Sequence, residues 1–311
     1  MRVFGYSELE KAPRGSVIAL GFFDGVHKAH RDILYSAYSE AKRLGVPFGI
    51  FTFNSESNIK NGSKRLYTTK ERLKIFEELS ADFVALVSFS EVSSLSAESF
   101  VKSVLIDKLH TLVAFAGYNF RFGKGALGDS RLLSELLSRN GKRAVIIDEI
   151  RPNGEPISSS IVKGLIEEGR LKEANELLGA PYFFDGEVIS GNSKGHSLGF
   201  PTVNTEIDEV RIIPRLGVYR SLVLAKGVLY NAVTNVGKCP TLGERDVHLE
   251  THIIDFSGDL YGKKITVYLL EFLREEKSFE DENQLIMQIN IDKNTTIKKN
   301  GEEKWQELGL K

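Results

Sequence analysis

The pattern of apolar residues changes near Pro181, and this change limits the folds open to the chain. Before it, short apolar runs typical of buried strands alternate with segments in which apolar residues recur at helical spacing. After it, short strand-like runs follow one another, separated by Gly, Pro, Asn or Asp. We therefore predict an α/β domain with a parallel sheet over 1–181 and a small antiparallel β-barrel over 182–311.

The predicted elements follow from these patterns. In the first domain the strands are expected at 17–20, 46–53, 82–89, 111–117 and 143–147. The helices are expected at 30–44, 69–79, 97–109, 130–139, 158–169 and 171–178. In the second domain six strands are expected at 183–189, 210–213, 218–224, 228–234, 249–256 and 265–272. Strands that alternate with helices place ligands beyond the carboxyl ends of the strands.

Composition excludes some classes of protein. A net charge of −1 gives no overall field that would favour nucleic acid or an anionic membrane. We find no apolar run long enough to cross a bilayer and no signal-peptide core near the first residue, so we expect a cytoplasmic protein. The one cysteine, Cys239, cannot form an internal disulfide, which is consistent with a reducing compartment.

Glycines cluster in the segment 191–204, GNSKGHSLGFPTVN. Glycine lets a backbone turn sharply and bring its N–H groups near a ligand, as a phosphate site requires. Thr202 and Asn204 are two residues apart, so an extended backbone points both to one face, where their oxygens suit Mg²⁺. A glycine-rich turn between two strands would give the same pattern, and spacing alone leaves both interpretations open.

A second polar motif, GFFDGVHKAH, lies where a predicted strand meets a helix. His27 and His30 are three residues apart, and their ring N–H groups would add to the donors at a helix N-terminus that attract phosphate. Two surface histidines, or one turn of a metal site, would produce the same spacing. The motif therefore indicates a phosphate site without establishing it.

The segment Leu198–Asn204 resembles the Leu-Gly-Phe/Tyr-Pro-Thr-Ala-Asn segment of riboflavin kinases. The chain as a whole resembles the bacterial bifunctional riboflavin kinase/FAD synthetases over nearly its entire length. This resemblance implies a Rossmann-like nucleotidyltransferase domain with helices on both faces of its sheet. It also implies a six-stranded Greek-key barrel of the riboflavin kinase type, with a terminal helix around 280–291.

In the first domain, GFFDGVHKAH resembles the Gly-x-Phe-Asp-Gly-Val-His-x-Gly-His signature of enzymes that transfer AMP or CMP to a phosphate. The resemblance implies that His27 and His30 stabilise the triphosphate during attack on the α-phosphorus. The implied ATP-binding and phosphate-binding residues are Gly21, Phe22, Asp24, Gly25, Ser158, Ser159, Ser160 and Lys163. The segment 117–125 is similar to the family's flavin-side segment, which implies flavin binding by Asn119, Arg121 and Phe122.

In the second domain, strand spacing puts His248, Glu250 and His252 on one face. Three ligands on one straight strand span ~13 Å, too far to gather easily round one metal ion. The resemblance instead makes Glu250 the general base that takes a proton from the ribityl 5′-hydroxyl. It also implies nucleotide binding by Gly191, Lys194 and Gly195, Mg²⁺ binding by Thr202 and Asn204, and flavin binding by Tyr219, Asn235 and Arg274.

The chain departs from the family pattern at several positions. Ala29 stands in place of glycine, Ser55-Glu56-Ser57 in place of Pro-His-Pro, and Lys163 in place of an arginine, while Ser160 replaces a threonine. Glu56 would place a potential anion beside a triphosphate, and lysine lacks the bidentate fork of arginine. In the second domain His196 and Cys239 each replace an arginine, which removes positive charge near the expected nucleotide or flavin phosphate.

The sequence therefore predicts a flavin-cofactor enzyme. The second domain is expected to phosphorylate riboflavin to FMN with MgATP, releasing ADP, and the first to join FMN to AMP from a second ATP, giving FAD and pyrophosphate. No P-loop pattern occurs in the chain. Two alternatives stay open: a riboflavin kinase whose first domain is a scaffold, and a flavin-binding regulator without turnover. We expect no nucleic-acid or membrane partner, and the sequence does not indicate the oligomeric state.

Overall fold

The computed structural model describes residues 1–54, 64–151, 154, 156–190, 199–238 and 247–302. The chain divides into two compact units, Met1–Ser159 and Ser160–Lys311. The domain boundary predicted from the sequence, between 181 and 182, lies later than this division and stays a prediction. Each unit is described by itself.

The first unit contains a six-stranded sheet in which every pair of neighbouring strands is parallel. Its strands are β1 (Arg2–Phe4), β2 (Ser16–Leu20), β3 (Phe48–Phe53), β4 (Phe83–Val87), β5 (Thr111–Gly117) and β6 (Arg143–Ile147). Their order in the sheet is β1-β4-β3-β2-β5-β6. The chain thus moves in one direction from β2 to β4 and then returns to the other side of β2, so the strand order reverses between β2 and β5.

Helices cover both faces of this sheet, as predicted. On one face Ile18 and Leu20 share a core with Phe100 and Leu133, while α1 packs on β2, β3 and β5. The helices are α1 (Lys28–Leu44), α2 (Thr69–Glu78), α3 (Phe89–Val92), α4 (Ala97–Ser99), a π-helical continuation of α4 (Phe100–Lys108) and α5 (Ser130–Arg139). Short 3₁₀ turns occupy Tyr6–Lys11 and Lys124–Ala126.

The helix ends follow local chemistry. Gly45 ends α1 in the left-handed conformation, with φ 67°, which glycine adopts without strain. Thr68 and Glu71 form a reciprocal capping box at the start of α2, which satisfies two backbone donors. The predicted helices of this unit are therefore present, with ends within one or two residues of the sequence pattern.

The second unit contains α6 (Ser159–Glu167), α7 (Leu171–Leu178) and a six-stranded antiparallel sheet. The first residue of α6, Ser159, is the last residue of the first unit. The strands are β7 (Tyr182–Glu187), β8 (Thr202–Glu206), β9 (Gly217–Ala225), β10 (Val228–Lys238), β11 (Val247–Ile253) and β12 (Lys264–Arg274), in the order β7-β12-β9-β10-β11-β8. A bridge between Ile189 and Asn204 brings the two edges together. The sheet thus curls into the predicted barrel, and α8 (Glu282–Glu302) completes the unit.

One predicted strand, 210–213, is wrong. Val210 and Ile212 are buried, but within the described residues no strand forms there. Only Arg211 takes part in a single β-bridge, and its N–H donates to the Asp208 carbonyl in a turn, at 2.9 Å. The guanidinium of Arg211 lies 4.2 Å from the ring centroid of Phe184. The apolar run therefore covers the core from a loop, and β8, which begins at Thr202, supplies the sixth strand in its place. The short strand β1 is a further element that the sequence pattern does not predict.

The two edge strands of the barrel approach closely at Gly186. A Cβ at this position would lie 2.8 Å from the Cβ of Thr205 on β8, which is closer than two carbon atoms pack. The absence of a side chain at 186 therefore lets β7 lie against β8 where the barrel closes.

We expect Gly186→Ala to lower the free energy of unfolding by about 1–3 kcal/mol, because the methyl group would force these strands apart. Gly164→Ala in α6 is the matched control, since a Cβ there has nothing within 4 Å; it should raise the free energy of unfolding by up to about 1 kcal/mol. Urea denaturation measures both. Equal effects of the two changes would show that β7 and β8 do not meet at this point in solution.

Candidate active sites

Strand pairing in the second unit places four of the predicted site residues, together with His252, in two rows. Glu250 on β11 lies opposite Asn204 on β8 and opposite Asn235 on β10. Two residues further along β11, His252 lies opposite Thr202 on β8 and opposite Val233 on β10. Directly opposite residues of antiparallel strands share a face, so these two rows form one surface of the sheet.

The Thr202 hydroxyl donates a hydrogen bond to Oε1 of Glu250 at 2.9 Å. A hydroxyl that donates its proton keeps its lone pairs for another ligand. Thr202 and Asn204 both line one cavity, and the strand register puts both side chains on one face of the sheet. Neutral oxygen donors of this kind fit Mg²⁺, which keeps several waters and phosphate oxygens among its ligands.

Two cavities meet at Thr202. The first, of about 340 Å³, is lined by Thr202, Asn235, Glu250, His252 and Arg274, together with apolar side chains including Val218, Val233, Phe279, Leu285 and Ile289. Its volume and its mixture of apolar walls with a few polar groups are typical of sites for small planar ligands. The second, of about 520 Å³, contains Thr202, Asn204, Ser190, Pro201 and Asp259.

The predicted nucleotide-binding residues Gly191, Lys194 and Gly195, and the departure His196, lie outside the described residues, as does Cys239. Ser190 and Pro201, which flank most of the glycine-rich segment, both line the 520 Å³ cavity. The chain therefore enters and leaves this segment at the rim of the cavity that also contains the Thr202–Asn204 pair.

The three predicted flavin-binding residues of this unit differ in their surroundings. Asn235 donates from Nδ2 to Glu276 at 2.9 Å, and its buried Oδ1 has no hydrogen-bond partner in the described part of the chain. Arg274 makes an ion pair with Asp292 of α8 at 2.8 Å. Tyr219 is not brought to the cavity: it is fully buried beside Phe272, and its hydroxyl donates to the Arg215 carbonyl. Burial raises the pKa of Tyr219 above its ordinary value.

His252 is a cavity residue whose role the sequence analysis did not identify. Its Nδ1 lies 3.0 Å from the Pro201 carbonyl oxygen. Because a carbonyl oxygen only accepts, Nδ1 carries the proton and Nε2 of the neutral ring is an acceptor. Its position two residues after Glu250 on a strand was the available signal. His248 does not line this cavity, and the described residues contain no group of three His, Cys, Asp or Glu side chains suited to a metal.

In the first unit, a cavity of about 210 Å³ lies at the carboxyl ends of β2, β5 and β6. It brings together His27, His30, Asn119, Ser158 and Ser159 from the predicted set. This is the place where the strand order reverses, and in parallel sheets ligands bind at such reversal points. The structure therefore assembles side chains from four separate segments of the first unit around one pocket.

The two histidines are stacked, with ring centroids 3.6 Å apart. His27 is the N-cap of α1, and its Nδ1 accepts from the His30 backbone N–H at 3.4 Å. Nε2 of a neutral His27 ring is then the protonated nitrogen and a donor. Burial lowers the pKa of His27 to about 4 and that of His30 well below its ordinary value. At neutral pH both rings are therefore uncharged in the free protein.

The turn between β2 and α1 holds an unusual backbone. Phe23 and Val26 have φ of 52° and 44°, and both side chains are buried. Residues other than glycine seldom adopt this left-handed region, and the cost is of order 1–3 kcal/mol each. Asp24 binds the Leu66 N–H at 3.0 Å through Oδ1. A Cβ at Gly21 would lie 2.6 Å from the Phe23 ring, so the turn has no room for a side chain at this position. Gly21 and Asp24, both predicted phosphate-motif residues, therefore shape the turn.

Other predicted residues of this half lie elsewhere. Phe122 is buried in the core and stacks on Phe120, with ring centroids 5.7 Å apart, and Arg121 is an exposed ion-pair partner of Asp129 at 3.8 Å. Phe22, Gly25, Arg121 and Phe122 do not line the 210 Å³ cavity. Ser160 and Lys163 belong to the second unit, and Ser55-Glu56-Ser57 fall outside the described residues.

The pocket also contains Glu149, which the sequence analysis missed. A hydrogen bond from the Tyr118 hydroxyl lowers the pKa of Glu149. Arg72, on α2, was missed as well; it is buried and binds the carbonyl oxygens of Phe22 and Phe53. Both residues are charged and stand in ordinary sequence surroundings, so only their neighbours in space distinguish them from surface residues.

Comparison with known proteins identifies the family. Residues 9–161 match the FAD synthetase family and residues 178–299 match the riboflavin kinase family. A bifunctional riboflavin kinase/FMN adenylyltransferase from Bacillus subtilis (strain 168) is 32% identical over 293 residues, with 91% of this chain and 92% of that protein covered. The chain belongs to the bifunctional riboflavin kinase/FMN adenylyltransferase family. The resemblance seen in the sequence is thereby confirmed.

A second relative, named for the same two activities, comes from Escherichia coli (strain K12) and is 32% identical, with 94% of this chain and 95% of that protein covered. A crystal structure of a protein named as a macrolide-efflux protein from Streptococcus pneumoniae has the same fold. Its TM-score is 0.85 at 27% identity, covering 95% of this chain and 99% of that one. None of the helices within the described residues is long and apolar enough to span a bilayer.

The pKa of His27 can be tested directly. We expect the His27 ring to stay neutral down to about pH 5, because burial lowers its pKa to about 4, whereas an unfolded histidine titrates near ~6.5. Between these values the unfolded chain binds more protons, so lowering the pH through this window reduces stability. Histidine ring NMR signals, assigned with His27→Asn, give the titration. A folded-state midpoint near the urea-unfolded value would contradict the buried position.

Proposed function

We propose that the chain makes both FMN and FAD. Residues 182–311 phosphorylate riboflavin with ATP, and residues 1–181 transfer AMP from a second ATP to FMN. The observation that carries the first reaction is the hydrogen bond from Thr202 to Glu250 at 2.9 Å. It joins a carboxylate at the 340 Å³ cavity to a residue, Thr202, that also lines the neighbouring 520 Å³ cavity, so an alcohol and a nucleotide would meet there.

In the proposed kinase reaction, riboflavin occupies the 340 Å³ cavity, with its ring system against the apolar wall. Oδ1 of Asn235 accepts a hydrogen bond from an N–H or hydroxyl of the substrate, which would give this buried oxygen a partner. Glu250 takes the proton of the terminal ribityl hydroxyl while the oxygen of that hydroxyl attacks the γ-phosphorus of ATP. The bond from that phosphorus to ADP breaks, and ADP leaves.

The residues that would hold Mg²⁺ are Thr202 and Asn204. Both line the 520 Å³ cavity, where the nucleotide is proposed to bind. When bound, the cation neutralises charge on the phosphate oxygens. Thr202 has a second task, because its hydroxyl holds the carboxylate of Glu250 in one position before the substrate arrives.

In the proposed adenylyl transfer, a phosphate oxygen of FMN attacks the α-phosphorus of ATP, and pyrophosphate leaves. Nε2–H of the neutral His27 ring donates to a phosphate oxygen, and the N-terminus of α1 adds backbone donors. His30 holds the first ring in place by stacking. In the free protein the rings are neutral and act as hydrogen-bond donors. The negative charge of a bound triphosphate then favours the protonated form of each ring.

The proposed setting is the cytosol, where ATP and reduced thiols are abundant. The lone cysteine supports this assignment. The proposed ligands are riboflavin, FMN, FAD, ATP and ADP, all small molecules. No part of the proposal requires a nucleic acid or a membrane.

Chromatography of flavins tests the whole proposal. The protein is incubated with MgATP and riboflavin, and separately with MgATP and FMN, and the products are resolved. FMN and FAD from the first mixture and FAD from the second support both reactions. FMN without FAD would mean that the first domain is a scaffold, and binding without any product would mean a flavin-binding protein.

We expect Glu250→Gln to reduce FMN formation by roughly 10²–10⁴-fold, the range typical of a lost general base, because an amide cannot accept the hydroxyl proton. FAD formation from supplied FMN should be unchanged. Glu206→Gln is the control, since Glu206 is exposed on β8 and lines neither cavity. Retention of FMN formation in Glu250→Gln would remove the base from the mechanism.

The opposite pattern is expected for His27→Asn. Asparagine still caps a helix N-terminus, so the change removes the ring while keeping α1. FAD formation from FMN should fall by about 10²-fold, the typical loss for one donor to a transition state, and FMN formation should continue. Loss of both reactions in a folded protein would show that the two activities are not divided between the two domains as proposed.

A further inference from the structure

We propose that Arg72 is a positioning residue for adenylyl transfer. It lies on α2 and fixes the turn between β2 and α1, and through that turn the stacked pair of His27 and His30. This inference rests on the proposed function of the first domain. It adds a residue that belongs to neither of the polar motifs and does not line the 210 Å³ cavity.

Arg72 is buried, with 1% of its surface exposed, and its guanidinium joins the ends of two neighbouring strands. Nη1 donates to the Phe22 carbonyl oxygen at 2.7 Å and to Thr52 Oγ1 at 3.0 Å. Nη2 donates to the Phe53 carbonyl oxygen at 2.5 Å. Since Thr52 also donates to the Phe22 carbonyl, at 2.8 Å, one planar group holds the residues that follow β2 and those at the end of β3.

The same guanidinium lies on the aromatic ring of Phe22, 5.0 Å from its centroid, and Arg65 lies 4.8 Å from that centroid. Cation–π contacts strengthen when water is excluded, as it is around buried arginines. Phe22 is therefore held by its ring and by its carbonyl oxygen, which leaves the start of the turn little freedom.

The turn needs this support because it is strained. Phe23 and Val26 have positive φ, and such conformations persist only where the surroundings determine them. The strained turn leads directly into His27, whose ring caps α1. A shift of the turn would therefore move the cap and its ring together.

A line of ring contacts also runs from α2 to the histidines. Phe76 on α2 contacts Phe23 edge-on at 6.2 Å, and Phe23 contacts His30 edge-on at 5.3 Å. His30 in turn stacks on His27 at 3.6 Å. Packed rings transmit displacement because protein interiors leave few gaps. The position of α2, which Arg72 ties to two strands, thus determines where the His27 ring lies.

Lysine cannot replace Arg72 in this arrangement. An ammonium group is a single point of charge, whereas the guanidinium offers a planar set of donors that reaches two carbonyl oxygens at once. Arg72→Lys therefore keeps the buried charge and loses the geometry, and Arg72→Met removes both. Lys70→Met is the matched control, because Lys70 is an exposed cation on the same helix.

The test measures FAD formation from FMN and FMN formation from riboflavin in the full-length chain. Arg72→Lys and Arg72→Met should lower kcat for FAD formation by roughly 10–100-fold, since misplacement of about 1 Å costs on this order. The KM for ATP should change far less, as expected when an interaction acts in the transition state. FMN formation should be unchanged in both, and Lys70→Met should match the wild type.

A spectroscopic readout separates positioning from general support. The ring NMR signals of His27 and His30 should shift in Arg72→Lys, because stacked rings alter each other's shielding, while those of His252 should not. If Arg72→Met does not fold, Arg72→Lys alone decides. Wild-type kcat in Arg72→Lys would overturn the inference, and so would equal loss of both reactions. Failure of the wild type to form FAD would instead overturn the proposed function.

Discussion

The pairing of β8 with β11 is the constraint on which the second site depends. Its register sets Asn204 beside Glu250 and Thr202 beside His252, and it places the Thr202 hydroxyl within 2.9 Å of the carboxylate. A slip of β8 by one residue would turn Thr202 and Asn204 to the other face, away from Glu250. The backbone ladder thus acts as the scaffold of the site, and the closing of the barrel at Gly186 and Thr205 holds β8 where that ladder needs it.

The first site depends on a strained turn, which lies where the strand order of the parallel sheet reverses. Buried groups there are kept neutral by desolvation, which lowers the pKa of both histidines. In the proposed adenylyl transfer, attraction for the triphosphate then begins with hydrogen bonds and the N-terminus of α1 rather than with charged imidazoles. In the proposed reactions the two sites would therefore treat phosphate differently: one by neutral oxygens suited to a cation, the other by hydrogen-bond donors.

Much of the fold could be predicted from local patterns. The helical spacing in α1, the glycine that ends it and the alternation of strands with helices all depend on neighbours in sequence, and these predictions agree with the structure. The strand at 210–213 was wrong because burial of Val210 and Ile212 produces the same apolar signal whether or not the backbone pairs. Tyr219 follows a family motif, yet its side chain lies on the face of β9 opposite Val218, away from the cavity.

The sequence by itself determined the two-part architecture, the family, and the chemistry available at Glu250, Thr202 and the histidine pair, because these depend on residue type and short spacings. Only the tertiary structure decided which groups meet: Glu250 with Thr202 across β8 and β11, and Arg72 with Phe22 across α2 and the β2–α1 turn. It also decided the tautomers of His27 and His252, since a hydrogen-bond partner fixes which nitrogen carries the proton. Contacts between residues far apart in the chain arise from packing and strand register, and no local pattern encodes them.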